Sequence, residues 1–271
     1  MITDILIAVA VVAAVGIICA VLLALASHFM SVKSDERVGN IRECLPGANC
    51  GACGYTGCDS YAKAIVEEGA KTNLCVPGAT AVAEKVAAIL GVEAGAVESR
   101  TAFVHCNGHS EAAEEKAIYE GIKSCKSECL IYGGSKACIY ACVGCGDCAS
   151  VCPKNAICVE DGVARIDPRK CIGCGLCART CPNGIIHLVN DTTRVVVECS
   201  NHDKGASTRK YCTNGCIGCG KCQKNCEAGA ITVVNNLAVI DYEKCTNCGK
   251  CAEVCPVKCI HEGNFICGAH F

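Results

Sequence analysis

Four times along this chain, cysteines fall in the run C-x2-C-x2-C-x3-C: Cys142 to Cys152, Cys171 to Cys181, Cys216 to Cys226 and Cys245 to Cys255. Such a run aims three thiols at one centre and sends the fourth away on a turn, so what the sulfurs bind dictates the local backbone. The chain holds 31 Cys among 271 residues, only 4% aromatic residues and no Trp. That scarcity excludes a large apolar core, and cysteine chemistry must take its place.

Disulfides are one such chemistry, but they need an oxidising compartment and suit short secreted chains with an even count. The odd count, the length and the tight C-x-x-C spacing argue for metal ligation. Structural zinc sites take four ligands in two pairs, whereas triplet-plus-one runs fit iron–sulfur cubes. The formal net charge of −2 counts each Cys as a neutral thiol. Four thiolates on an oxidised [4Fe–4S] core leave about −2 per cluster, so a loaded chain is markedly acidic and nucleic acid is excluded as a partner.

The runs belong to an internal repeat. Cys125, Cys138, Cys142, Cys145, Cys148, Cys152, Cys171, Cys174, Cys177 and Cys181 recur 74 residues later as Cys199, Cys212, Cys216, Cys219, Cys222, Cys226, Cys245, Cys248, Cys251 and Cys255, and Asp167 recurs as Asp241. One offset shared this widely means tandem duplication. In the two-cluster ferredoxin signature the fourth thiolate of each run binds the other cluster. The expected ligand sets are therefore Cys142, Cys145, Cys148 with Cys181, and Cys171, Cys174, Cys177 with Cys152. In the second copy they are Cys216, Cys219, Cys222 with Cys255, and Cys245, Cys248, Cys251 with Cys226.

Between paired runs lie short alternating segments, 156–159 and 163–166 around Asp161-Gly162, then 231–234 and 237–240 around Asn235-Asn236. These read as hairpins. Pro153, Pro182 and Pro256 follow the fourth cysteine of three runs, and Glu227 replaces that Pro in the other. Ahead of the repeat, Cys50, Cys53, Cys58 and Cys75 make one self-contained site, for which zinc is the alternative to a cluster. Residues 59–69 and 80–90 around it read as helices, 101–105 as a strand and 110–122 as a polar helix.

Cys106, Cys125, Cys129 and Cys138 are left over together as a candidate sixth site. Cys138 and Cys212, four residues ahead of a run, can alternatively support the neighbouring ligands. Cys19, Cys44, Cys158, Cys259 and Cys267 read as small buried apolar residues. The seven His show no spacing that suggests a site, and no phosphate loop, flavin fingerprint or nucleophile constellation appears, so no catalytic residue is assigned.

From Ile5 to Ala26 runs an uncharged stretch of 22 residues, about 33 Å as a helix and long enough to cross a bilayer. Lys33, Arg37 and Arg42 follow it and nothing basic precedes it, which places the cysteine-rich part on the cytoplasmic side. The expected organisation is an anchor over 1–30, a linker over 31–40, a single-cluster domain over 41–98, a connecting segment over 99–137, and two-cluster ferredoxin modules over 138–198 and 199–271. The fold class is α+β: one N-terminal transmembrane helix, a small helical Fe–S domain and two tandem ferredoxin-like modules.

With these residues assembled, the chain resembles the B subunits of the Rnf complex, a membrane-bound ferredoxin:NAD oxidoreductase. The apolar N-terminus, the GANCGACGYTGC segment from Gly47 to Cys58 with Cys75, and the ferredoxin runs occur in that order. Short family members carry one ferredoxin module, and this chain resembles the longer form with two. The resemblance implies an electron-relay subunit with five [4Fe–4S] clusters, taking electrons from soluble reduced ferredoxin and passing them to flavin- and NAD-binding membrane subunits that export Na+ or H+. It also implies that Cys50, Cys53, Cys58 and Cys75 ligate a cluster. The same chemistry would serve a polyferredoxin subunit of another membrane redox complex such as a hydrogenase.

Overall fold

The computed structural model describes residues 2–29 and 35–262. The N-terminal helix α1 (Ile2–Phe29) is followed by α2 (Glu36–Cys44). Side chains along α1 are described only at Ile7 and at 13–25, where they are exposed. Among the described residues no helix is long and apolar enough to cross a membrane. Cys19 is exposed on α1, not buried as expected, while Cys267, His270 and Lys33 lie outside the described residues.

α2 begins inside the stretch read as linker. Asp35 caps it by accepting the Arg37 N–H at 2.9 Å, an N-cap that the charge-rich sequence hid. Ile41 and Leu45 from this segment pack with Tyr61, Ile65 and Val86 in the core formed by α2, α3 (Cys58–Glu67) and α4 (Ala79–Leu90). Gly57 stands at the N-cap of α3, and Asn49 Oδ1 takes the Cys58 N–H at 2.9 Å. Gly91 ends α4 in the left-handed region, at φ 68°. Cys44, at the end of α2, is half-buried against this core.

Each repeat then builds one small module from two antiparallel strand pairs and short helices. In the first, β1 (Arg100–Val104) is followed by the short helices α5 (Cys125–Cys129) and α6 (Asp147–Ser150), the hairpin β2 (Ile157–Glu160) and β3 (Val163–Ile166), α7 (Leu176–Thr180) and β4 (Ile186–Asn190). β1 pairs with β4, Ala102 opposite Leu188, closing the module. The second module repeats the plan: β5 (Val195–Val197), α8 (Gly205–Tyr211), α9 (Lys221–Lys224), β6 (Ile231–Val234), β7 (Leu237–Ile240), α10 (Lys250–Glu253) and β8 (Ile260–Glu262), with β5 paired to β8. The turns take the positive φ their residues favour, 47° and 75° at Asp161-Gly162 and 48° and 65° at Asn235-Asn236.

Two expectations fail here. Residues 110–122 form no helix. Their backbone is drawn into tertiary pairing: Glu114 N–H donates to Tyr211 O and Lys116 N–H to Ser135 O, both at 2.8 Å, while Thr213 N–H donates to Ala112 O at 2.9 Å. Isolated bridges Ala113 to Cys212 and Glu115 to Lys136 complete this strap, so intersegment partners satisfy groups that a helix would have satisfied locally. Cys158, on β2, is disulfide-bonded rather than a simple packing residue.

Candidate iron–sulfur centres

The backbone of the runs is fixed by glycine. In the second module Gly218 sits at φ 63°, and a Cβ there would lie 2.9 Å from Asn236 O of the hairpin turn. Gly144 in the first module, at φ 86°, would meet Gly162 O at 2.6 Å. No side chain fits, so each loop can press on its hairpin and turn its N–H groups toward sulfur. Ala164 N–H donates to Cys142 Sγ at 3.4 Å, Ala102 N–H to Cys171 Sγ at 3.4 Å and Asn247 N–H to Cys245 Sγ at 3.4 Å. Ala156 N–H to Cys152 and Ala230 N–H to Cys226, both 3.3 Å, are the same bond in the two copies.

The runs cross. The Cys177 thiol is pushed up to about 12 by burial, and its electrostatic neighbours are Cys171, Cys174 and Cys152, the last from the other run. The Cys148 thiol, also raised to about 12 by burial, has Cys142 and Cys181 beside it, with Cys125 and Cys177. An apolar-lined pocket lies between Cys125, Cys142, Cys148 and Cys181. In the second module burial raises Cys222 to about 11 beside Cys216, Cys219 and Cys255.

Burial likewise raises Cys251 to about 11 beside Cys245 and Cys248, and Cys226 packs into the same core. At the N-terminal unit, burial raises the Cys75 thiol, with Cys50, Cys53 and Cys58 around it. Tyr61 fixes the approach to Cys75: its hydroxyl donates to Lys71 O at 2.8 Å and accepts from Leu74 N–H at 3.2 Å.

These groups fit a [4Fe–4S] cargo. Desolvated thiols hold their protons, and ionising them takes a cationic core within reach of several sulfurs. Among the described residues no three Cys, His, Asp or Glu side chains are set to hold a single metal ion. A zinc ion would draw every sulfur to about 2.3 Å, whereas a cube takes one thiolate at each of four separate irons.

The centres adjoin. Cys174 has Cys50 as an electrostatic neighbour, and Arg179 of α7 donates to the carbonyl of Cys50, tying the N-terminal unit to the first module. The four leftover cysteines do not form one group. Cys129 neighbours Cys125 and Cys181, and Cys125 neighbours Cys145 and Cys148. Cys106 and Cys138 instead neighbour each other and Cys212.

Cys259 is the small buried residue expected, and it also touches ligand cysteines, a contact that sequence reasoning passed over. It is buried, its sulfur lies 3.6 Å from Cys255 Sγ, and its thiol hydrogen bond holds Cys216 and Cys255 low against the opposing effect of burial. The equivalent position in the first copy is Ile185, and that replacement is the signal in the sequence. The described histidines serve the frame: His105 Nδ1 lies 2.8 Å from Val197 O, and His202 Nδ1 lies 3.3 Å from Asn235 O.

Comparison with known proteins agrees with this geometry. An Fe–S cluster family model matches residues 45–77, and a 4Fe–4S dicluster domain matches 141–185 and again 215–259. A further 4Fe–4S dicluster model spans 170–230. The chain is 44% identical over 261 residues to the B subunit of the Na(+)-translocating ferredoxin:NAD(+) oxidoreductase complex of Acetobacterium woodii, covering 96% of this chain and 78% of that one. It is 40% identical to the B subunit of the ion-translocating oxidoreductase complex of Methanosarcina acetivorans, covering 93% and 96%. With the B subunit of the proton-translocating ferredoxin:NAD(+) oxidoreductase complex of Clostridium ljungdahlii it shares 40% identity, covering 90% and 86%.

The chain belongs to the family of Rnf B subunits. As a member it serves electron transfer and is built on 4Fe–4S ferredoxin domains with mixed helix and strand content. The similarity to all three long Rnf relatives runs through both ferredoxin modules.

Proposed function

We propose that this Rnf protein relays electrons through five [4Fe–4S] clusters, one in the N-terminal unit and two in each ferredoxin module. The ligands are Cys50, Cys53, Cys58 and Cys75, then the four crossed sets of the runs. What carries this reading is the crossing itself, Cys152 beside Cys174 and Cys177, and Cys181 beside Cys148. Two thiolate sets that exchange a member hold their cubes close together, as electron hopping requires.

Soluble reduced ferredoxin is the donor, and flavin- and NAD-binding membrane subunits of the ion-exporting complex are the acceptors. Electrons enter at the second module, where Cys219 and Cys248 are exposed, so a cluster edge comes near a docking partner there. They leave through the N-terminal unit. α1 is the membrane anchor: the uncharged stretch Ile5 to Ala26 is long enough to span. Ile17, Leu22 and Leu23 are 60% exposed or more, as lipid-facing residues are. The positive residues that follow keep the modules cytoplasmic.

Anaerobic purification should give a brown protein rich in acid-labile sulfide. In membranes, Cys248→Ser should slow oxidation of reduced ferredoxin while leaving the variant assembled in the complex. A colourless zinc protein, or equal loss of ferredoxin oxidation and membrane assembly, would defeat the proposal.

A further inference from the structure

The geometry points to a sixth [4Fe–4S] cluster, held by Cys106, Cys138, Cys199 and Cys212 where the two ferredoxin modules meet. The inference rests on the electron-relay reading and adds a site to it.

The four cysteines form two equivalent pairs. Cys106 follows β1 by two residues and Cys199 follows β5 by two. Each sulfur accepts the N–H two residues ahead, from Gly108 and from Asn201, both at 3.4 Å. Each also accepts the N–H of the first cysteine of a run, Cys142 at 3.3 Å and Cys216 at 3.2 Å. Cys106 is thus the structural counterpart of Cys199, although the 74-residue offset matches Cys199 with Cys125. Cys138 and Cys212 each stand four residues before those same run cysteines.

The pairs meet across the module boundary. Asn201, which touches Cys199 through its backbone, donates its side-chain amide to Cys138 Sγ at 3.5 Å. A Cβ on Gly108 would lie 3.6 Å from Cys106 Sγ and 3.9 Å from Cys212 Sγ, so both sulfurs flank one point of backbone. Cys106 is an electrostatic neighbour of Cys138, Cys199 and Cys212 alike. Cys106, Cys138 and Cys199 are each no more than 9% exposed, so the quartet is closed to solvent on most sides.

Charge supplies a second observation. Lys136 is 5% exposed, and its ammonium donates to Gly108 O at 2.6 Å and Gly162 O at 2.7 Å. It acts on both the Cys212 and Cys142 thiols. A buried cation is costly unless negative charge faces it; Glu128 supplies one such charge, and neutral thiols supply none. Four thiolates on a cube do, and five N–H donors aimed at these sulfurs favour the ligated form.

The site would join the modules electrically. The Cys106 sulfur is hydrogen-bonded to the first ligand of a cluster in one module, and the Cys199 sulfur to the first ligand in the other. A cube held by these four thiolates would accept one electron from the second module and give it up to the first, with no bond or proton moved.

The test is iron and acid-labile sulfide counting on the full anaerobically purified chain, with EPR of the reduced protein. Six clusters give about 24 irons per chain and five give about 20. Cys138→Ser/Cys212→Ser should lose about four irons and four sulfides, keep the rest, and slow electron passage from the second module to the first. Cys44→Ser should lose none. A wild-type count near 20, or zinc in place of the last four irons, overturns the inference while sparing the five-cluster reading. A chain devoid of labile sulfide defeats both. Because the wild-type count discriminates alone, misfolding of the double variant does not rescue the idea.

Discussion

Gly218 and Gly220 offer a matched pair of substitutions in one cluster-binding loop. Both lie in the left-handed region, at φ 63° and 70°. A Cβ on Gly220 meets nothing within 4 Å, whereas one on Gly218 lies 2.9 Å from Asn236 O and 3.0 Å from its Cα. Gly220→Ala therefore carries the backbone cost alone, about 1 kcal/mol for an L residue held in this region. Gly218→Ala carries that cost plus overpacking against backbone, which cannot swing aside as a side chain can, for a total of about 2–4 kcal/mol. Anaerobic thermal unfolding, followed by the visible absorbance of the clusters, reads the difference. Cluster loss makes such unfolding irreversible, so at one scan rate the ranking is the observable. Equal losses in the two variants would refute the claim that the loop is seated on the hairpin turn.

Three further substitutions probe the centres and their frame. Cys152→Ser should cost the cluster of Cys171, Cys174 and Cys177 its fourth thiolate while leaving the set of Cys142, Cys145 and Cys148 complete, which EPR of the reduced protein can separate; loss of the latter set instead would contradict the crossing. Cys259→Ile, which restores the first-copy residue, should leave iron content unchanged, and a drop of about four irons would show that Cys259 is itself a ligand. Glu198 is raised to about 7 by burial, against the opposing pull of Arg165, so the folded chain binds this proton more tightly than the unfolded chain. Its contribution is present at low pH and is lost as pH rises from the ordinary carboxylate value through about 7, by up to about 3 kcal/mol. Glu198→Gln should therefore gain stability relative to wild type between about pH 5 and pH 8 in anaerobic melts; a pH-independent difference would exclude Glu198 as the titrating group.

What was legible in the sequence is what local spacing determines. Asp161-Gly162 and Asn235-Asn236 set their hairpins because those residues alone favour the required φ. Gly91 ended α4 for the same reason. The strands β4, β5 and β8 were missed because each pairs with a distant partner, as Ala102 does with Leu188, and nothing nearby announces it. The polar stretch 110–122 has helical composition, yet its N–H groups find partners at Tyr211 and Ser135, which no local rule anticipates. The offset of 74 residues paired the run cysteines usefully but mismatched Cys125 with Cys199. An insertion after Cys106 shifts the register ahead of Cys138, so structural equivalence survives there while sequence spacing does not.

That insertion bears on how a duplicated module becomes a relay. Two ferredoxin units joined by a slack linker would hold their clusters at varying separations, and hopping depends steeply on distance. Here the added segment of the first copy crosses to the second, where Ala112 O accepts the Thr213 N–H and Glu114 N–H donates to Tyr211 O. Asn214 adds a bond from its side-chain amide to Asn107 O at 3.1 Å. These contacts flank Cys106 and Cys212, so the strap that fixes the modules also brings together thiols from both copies. Divergence of the first copy at this one segment therefore accounts for both the rigid junction and the cysteine quartet inside it, and a change that frees the strap should degrade the two together.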